Sequence, residues 1–206
     1  MTKLAPGWLK DDELEFHKKY LRAFETHSVS KFENRIVEGG CFGGKLFSYL
    51  QPLFPTWQYV GVNTWLDEQT HMPFNWEGRY SDDDIHLKPE LQSKETLMTK
   101  DKFIKHCPYA KAYEGYFEEF TVSELLRLRT DPNDVKFNVI SMGQISNHIN
   151  WKLQYKCAKR LLSKTGVIIA RNLLSVPKVV KIIEHDSWEI LDYSKERRNA
   201  AIRPRR

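Results

Sequence analysis

Short apolar runs alternate with stretches of helical period along this chain. Leu14, Tyr20, Leu21 and Phe24 share one helical face behind Asp11 or Asp12 as a cap, so the spacing predicts a helix over Asp11–His27 packed on a sheet. Arg35–Glu38 reads as a short strand, Gly43–Leu53 as a helix with Pro55 just beyond it, and WQYVGVN, Trp57–Asn63, as a second strand. Ala110–Glu114 is a third strand, Val122–Arg129 a helix and Phe137–Met142 a fourth strand. Trp151–Leu162 is a helix that SKTG ends at Gly166, a C-terminal glycine. Val167–Arg171 is a fifth strand and Pro177–His185 a helix. Trp188–Tyr193 and Ala200–Arg203 form a closing hairpin with KERRN as its turn.

Strands that alternate with helices predict an α/β fold, a mostly parallel sheet with helices on both faces. The final hairpin fits a seven-stranded sheet with an antiparallel strand at its edge. One interval departs from the rhythm. Thr64–Pro108 is too long for an ordinary strand-to-helix loop and holds a helix near Leu91–His106, so it reads as an insertion covering a ligand site. Within it His71 and Trp76 are candidates for a lid over a substrate, while Asp82-Asp83-Asp84-Ile85-His86 reads as a solvated loop or helix cap. The expected organisation is one domain over residues 1–206, with an N-terminal helical segment (1–30), the insertion (64–108) and a basic end (195–206).

Composition narrows the class. The 206 residues are 41% hydrophobic and 13% aromatic, which is globular, and no apolar run approaches a membrane span of roughly 20 residues. Cys41, Cys107 and Cys157 are odd in number and widely spaced with no CxxC, which argues against a disulfide framework or a zinc site and for a reducing cytoplasm. The net charge of +5 resides wholly in the last twelve residues, KERRNAAIRPRR. The rest of the chain is neutral, so only this tail could serve a nucleic acid, and a short arginine-rich end is more often a solvated terminus.

The candidate chemistry centres on IVEGGCFGGKLFSYL, a strand, a glycine turn and a helix start. Ligands of open parallel sheets bind at the carboxyl ends of strands where strand order reverses, which is where this turn falls. Glu38, Gly40 and Gly44 give E-x-G-x-x-x-G. A dinucleotide turn needs G-x-G-x-x-G so that backbone N–H groups reach a pyrophosphate. Here a carboxylate stands at the mouth of the turn and would repel a pyrophosphate, and Phe42 takes a glycine's place. A ligand with an ammonium group and no phosphate fits better, and S-adenosylmethionine is one. The alternative is a tight packing turn with no ligand.

The motifs EGGCFGG, YVGVNTW, AYEGYFEEF, FNVISMG and LLSKTGVIIARN occur in that order, over about Arg35–Leu174. Together they resemble the class I S-adenosylmethionine-dependent methyltransferases, and more narrowly the branch of macrocin O-methyltransferase-like enzymes. The resemblance implies a Rossmann-like seven-stranded methyltransferase fold and S-adenosylmethionine as cofactor. It implies that Glu38, Gly39, Gly40, Cys41, Phe42 and Gly44 form the cofactor turn. Asn63 stands where the family has an acid for the ribose hydroxyls; an amide can still accept and donate there, without the charge. Thr64 and Trp65 follow, with Trp65 placed to wall the pocket. Glu114, Gly115 and Tyr116 fall at the adenine edge, where Glu114 could accept from the amino group and Tyr116 or Phe117 could pack on the ring, unless these aromatics are core.

The family pattern breaks at the metal. Many members of the branch hold Mg²⁺ through an acid ending the fourth strand and an acid pair after the fifth, which acidifies a substrate hydroxyl. Here the fourth strand ends Ser141-Met142-Gly143 and the fifth Arg171-Asn172. Met does not bind Mg²⁺ and Arg repels it, so no metal of the family type is expected. Arg171 then has three readings: it holds an anionic substrate by its planar fork, it marks a site that has lost chemistry, or it is a surface residue past a strand. His148 is a candidate general base, or else a helix N-terminal residue facing water. The implied activity is methyl transfer to a small molecule, such as a sugar or other hydroxylated metabolite. Its rivals are a non-catalytic binder of the same fold and a nucleic-acid methyltransferase.

Overall fold

The computed structural model describes residues 4–5, 9–27, 34–65, 99–130, 136–144, 148–171, 173, 177–196 and 199–205. In chain order the elements are α1 (Asp11–His27), β1 (Arg35–Gly39), α2 (Lys45–Leu50), β2 (Gln58–Asn63), α3 (Lys100–His106), β3 (Ala110–Glu114), α4 (Phe117–Thr130), β4 (Phe137–Gln144), α5 (His148–Leu161), β5 (Leu162–Arg171), α6 (Pro177–His185), β6 (Trp188–Tyr193) and β7 (Asn199–Pro204). Most of the insertion, with His71, Trp76 and the run from Asp82 to His86, lies outside the described residues.

Seven strands form one sheet in the order β3-β2-β1-β4-β5-β7-β6. β1 pairs in parallel with β2 and β4, β2 with β3, and β4 with β5, while β7 runs antiparallel to both β5 and β6. The expected mixed sheet with a C-terminal antiparallel hairpin is therefore present. Successive strand residues point to opposite faces, and both faces are apolar. Val37, Val60, Ile140 and Ile168 meet Phe120 of α4, Tyr155 of α5 and Ile183 of α6 on one side; Ile36, Tyr59, Val139 and Ile169 meet Leu14 of α1, Phe47 of α2 and Phe103 of α3 on the other. Helices thus cover both faces.

Several boundaries differ from the sequence reading for local reasons. α2 starts at Lys45, not Gly43, because Gly44 precedes it in the left-handed region with φ 84°. α4 starts at Phe117 rather than Val122: the Glu119 carboxylate accepts from the Tyr116 N–H at 3.0 Å, which caps the helix earlier. Gly166 does not end a helix. It lies inside β5, beside an irregularity in the β4–β5 pairing, where a Cβ would fall 2.9 Å from the Asn138 carbonyl oxygen. Glycine is required there for close backbone approach.

The amino end of β1 carries a buried cation. The Arg35 guanidinium lies 4.3 Å from the Phe137 ring centroid, and its Nη2 donates to Glu124 Oε2 at 3.2 Å. Arg127 donates to the same carboxylate at 2.6 Å, and the Arg35 backbone N–H donates to Asn138 Oδ1 at 2.9 Å. This cluster ties α4 to the bottom of the sheet.

Candidate functional site

β2 lies to one side of β1 and β4 to the other, so strand order reverses at β1 and the crevice of this sheet opens above its carboxyl end. The chain leaves β1 through Gly40 (φ 76°), Phe42 (φ 45°) and Gly44 (φ 84°). Three left-handed residues within five positions fold it back sharply, and the Gly40 N–H donates to the Val62 carbonyl at 2.8 Å. β4 approaches the turn closely: a Cβ on Gly143 would sit 2.6 Å from the Gly39 carbonyl oxygen.

Two connected spaces result. An outer cleft of about 160 Å³ is walled by Gly39, Gly40, Val62, Asn63, Thr64, Gly115, Tyr116, Phe117, Met142, Gly143 and Gln154. An inner chamber of about 40 Å³ lies under α1 and shares Gly40, Met142 and Gly143 with it; Glu38, Cys41, Phe42, Ser141 and Arg171 also line it, together with Leu9, His17, Lys45, Leu46 and Asn199.

Most of the residues singled out by sequence meet at these two spaces. Three do not. Trp65 is buried beneath the turn, donating from Nε1 to the Phe42 carbonyl at 3.0 Å and packing 5.0 Å from the Phe103 ring. Gly44 gives room to α3, since a Cβ there would meet Cys107 Sγ at 2.4 Å; Gly61 does the same for Phe103, whose Cζ would lie 2.5 Å away. Glu114 is exposed, 3.6 Å from Lys100 Nζ. His148 begins α5.

The chamber is electrostatically unusual. Arg171 Nε donates to Glu13 Oε1 at 3.0 Å, and Glu13, fully buried on α1, accepts at its other oxygen from the Lys10 N–H at 2.8 Å. Arg171 is therefore engaged by an internal carboxylate. His17 Nδ1 lies 2.7 Å from the Glu13 carbonyl oxygen, which can only accept, so Nδ1 carries the proton. Nε2 then accepts from the Ser141 hydroxyl at 2.9 Å. Burial, with Arg171 adding to it, pushes the His17 imidazole down to about 4, so it is neutral at physiological pH. Burial pushes Glu38 the other way, up to about 8, against the pull of Arg171. Glu38 Oε2 has no hydrogen-bond partner among the described residues. The neighbouring thiols of Cys41 and Cys107 are also raised by burial, Cys107 to about 12, which makes them unreactive. Among the described residues no group of three His, Cys, Asp or Glu could hold a metal ion.

Sequence reasoning did not reach Gln154, Asn199, His17 or Glu13. Gln154 interrupts the buried helical stripe that includes Ala158 and Leu161, and His17 lies on the Leu14–Leu21–Phe24 face of α1. A polar residue on a buried stripe is the signal that marks both. Asn199 stands at the end of a basic turn and gives no such signal.

No protein-family model matches the chain, and no curated protein matches it by sequence. Solved structures do. The precorrin-6y C5,15-methyltransferase of Geobacter metallireducens GS-15 superposes with a TM-score of 0.52 at 12% identity, covering 98% of this chain and 89% of that one. A proposed O-methyltransferase of Klebsiella pneumoniae gives 0.55 at 11% identity, covering 97% and 82%. A proposed caffeoyl-CoA O-methyltransferase of Staphylococcus aureus gives 0.56 at 13% identity, covering 96% and 84%. Likenesses at this level of identity concern architecture, and with the strand order above they establish that the chain has the Rossmann-like, seven-stranded methyltransferase fold.

Proposed function

We propose that this protein binds S-adenosylmethionine and transfers its methyl group to a small molecule, a sugar or other hydroxylated metabolite, without a divalent metal. The observation that carries the reading is Glu38: a carboxyl 6% exposed, at the end of β1 beside the glycine turn, with one oxygen unpartnered among the described residues. Such a group is costly unless a ligand completes it.

The residues present suit this cofactor. Its ends differ, one a nucleoside and one a charged amino acid, and the outer cleft and inner chamber differ in the same sense. Asn63 and Thr64 offer hydroxyl-binding groups at the end of β2, and Gly115, Tyr116 and Phe117 offer a flat apolar wall for a base. Gly39, Gly40 and Gly143 allow close backbone approach between them. The cofactor supplies an electrophilic methyl on a sulfonium. The chain's part is to align the acceptor and exclude water, and to take a proton where the acceptor carries one. His148, at the start of α5, is the base we assign. Met142 and Arg171, where the branch has acids, support metal independence. The ordered motifs support a position beside the macrocin O-methyltransferase-like branch.

A second reading, a binding protein without turnover, is favoured by the Glu13–Arg171 pair, which occupies the charge that would hold an anionic acceptor. Calorimetric titration with S-adenosylmethionine and S-adenosylhomocysteine, with and without Mg²⁺ and with Glu38→Ala as control, tests the assignment. Micromolar binding, weakened in the variant and indifferent to Mg²⁺, supports it and justifies an acceptor screen. Folded protein that binds neither ligand sinks it. Binding with no methyl transfer to any acceptor in the screen favours the second reading.

A further inference from the structure

The sheet face opposite α1 carries an apolar surface that methyl transfer does not use. Tyr116, Val122, Leu126 and Leu153 stand 57%, 60%, 57% and 52% exposed, half of the eight large apolar side chains exposed among the described residues. All four lie on α4 and α5 or at the residue before α4. Single exposed apolar side chains are ordinary, but four gathered on one helix pair mark a surface that something covers. Val122 and Leu126 are one turn apart and share the outer stripe of α4. The two helices follow parallel strands, cover the same sheet face and pack on each other, so they run side by side in one direction. Gln154 walls the outer cleft with Tyr116 and Phe117, and the half-buried Cys157 thiol faces Thr121 and Glu118. These contacts set the level of one helix against the other: Leu153 lies beside Tyr116, and the turn from Lys156 to Arg160 beside the turn from Glu118 to Val122.

The charges on this face divide by helix. α4 opens with Glu118 and Glu119, while α5 presents Lys152, Lys156 and Arg160 and has no acid. Among the described residues the ion pairs of these helices join Arg35 and Arg127 to Glu124 and Lys159 to Asp186, so those five charges stand without one. We propose that this face docks a second copy of the chain about a two-fold axis that runs along the α4–α5 groove. A two-fold interface has to be complementary to itself. An axis across the helices would set α5 on the partner's α5, cation on cation. An axis along the groove sets each α4 on the partner's α5, so that Glu118 and Glu119 meet the partner's Lys156 and Arg160, and the reverse pairs form as well. It also lays the partner's Leu153 against Tyr116, and it brings Cys157, in the groove, beside the partner's Cys157. Helices of 14 residues are about 21 Å long and about 10 Å wide, so the pair presents roughly 400 Å² in projection. That is less than the ~800 Å² a side of a standard interface, so the dimer is weak and depends on concentration. Because Tyr116 walls the outer cleft, the interface reaches the rim of the candidate site, whichever ligand that site takes.

Sedimentation velocity on the full chain from about 5 to about 500 µM spans the affinity of a weak interface. The expected result is a monomer at the low end and a dimer at the high end, with association weakening as salt is added. Leu153→Glu, Lys156→Glu and Glu118→Lys should each raise the dissociation constant by about 10-fold or more. Their circular dichroism and melting temperature should match the wild type, since these side chains are not part of the core. An equal mixture of Lys156→Glu and Glu118→Lys should regain the dimer, because each altered charge then meets its opposite and the second pair is native. At high concentration a short bis-maleimide should link two chains through Cys157, since Cys41 and Cys107 are buried, and Cys157→Ser should abolish the link. A monomer at every concentration overturns the proposal, as does a dimer that neither Leu153→Glu nor Lys156→Glu weakens. A dimer that these variants weaken, but that mixing does not restore and the reagent does not link, has its axis elsewhere and overturns it too. None of these readouts needs a ligand, so they stand or fall apart from the S-adenosylmethionine titrations.

Discussion

β1 carries a buried charge at each end, and the two are handled differently. Arg35, at the amino end, is 3% exposed, yet Glu124 answers its charge and Phe137 lies against its guanidinium. Glu38, three residues on at the carboxyl end, is nearly as buried, with one oxygen unpartnered and its carboxyl protonated up to about pH 8. The same strand has its charge met by an ion pair and an aromatic ring at one end, while at the other one carboxyl oxygen has no hydrogen-bond partner among the described residues. The difference separates a group that holds the sheet together from a group that waits for something, and it falls where open α/β sheets take their ligands.

The largest expected effect tests the closed end. Arg35→Ala removes one partner of a buried pair and its ring contact. It should cost about 3 kcal/mol in chemical denaturation while leaving S-adenosylhomocysteine affinity unchanged. A matching loss of affinity would break the distinction between the two ends.

The chamber's own groups come next, and their signs oppose. His17 titrates near 4 folded and 6.5 unfolded, so below pH 6.5 the unfolded chain binds the extra proton and stability falls as pH falls. Against His17→Gln, the wild type should lose about 3 kcal/mol between pH 7 and pH 4. Glu38 titrates near 8 folded and 4.5 unfolded, so the folded chain binds the extra proton between these values and stability falls as pH rises. Against Glu38→Gln, the wild type should lose about 2 kcal/mol between pH 6.5 and pH 8. A thermal-denaturation series on the three proteins separates the slopes; a flat difference for Glu38→Gln would mean that the carboxyl is ionised in the free protein.

The smallest effect sharpens the role of the turn. A Cβ at Gly40 would meet nothing nearer than 3.9 Å, so only its φ of 76° opposes a side chain. Gly40→Ala should cost about 1 kcal/mol in stability. It should weaken nucleoside binding more than that strain implies, because the methyl enters the cleft.

What could be read from the sequence follows from how local its causes are. Alternation and helical period fix which face of each segment is apolar, so all seven strands, the hairpin and the glycine turn were visible without coordinates. Gly166 was misread because a glycine after a helix looks the same whether it caps or admits a neighbouring backbone, and only β4 reveals which. Arg171 was legible as an oddity at the end of the fifth strand. Its partner was not, because Glu13 lies 158 positions away and nothing local links them. The same holds for His17 with Ser141, 124 positions apart. Asn199 becomes conspicuous only when the β5–β7 register sets it beside Arg171.

Those separations have a consequence in time. The chamber joins α1 to β4, β5 and β7, and a further contact from Asp12 to the Glu196 backbone spans 184 positions. Closing such long loops is entropically late and slow. The sheet can gather most of its strands before β7 is in place, but the space beside Glu38 has no fourth wall until then. Competence to bind should therefore rise with the slowest refolding phase and lag behind the recovery of helical signal, so that the last segment to dock determines when the molecule becomes able to work.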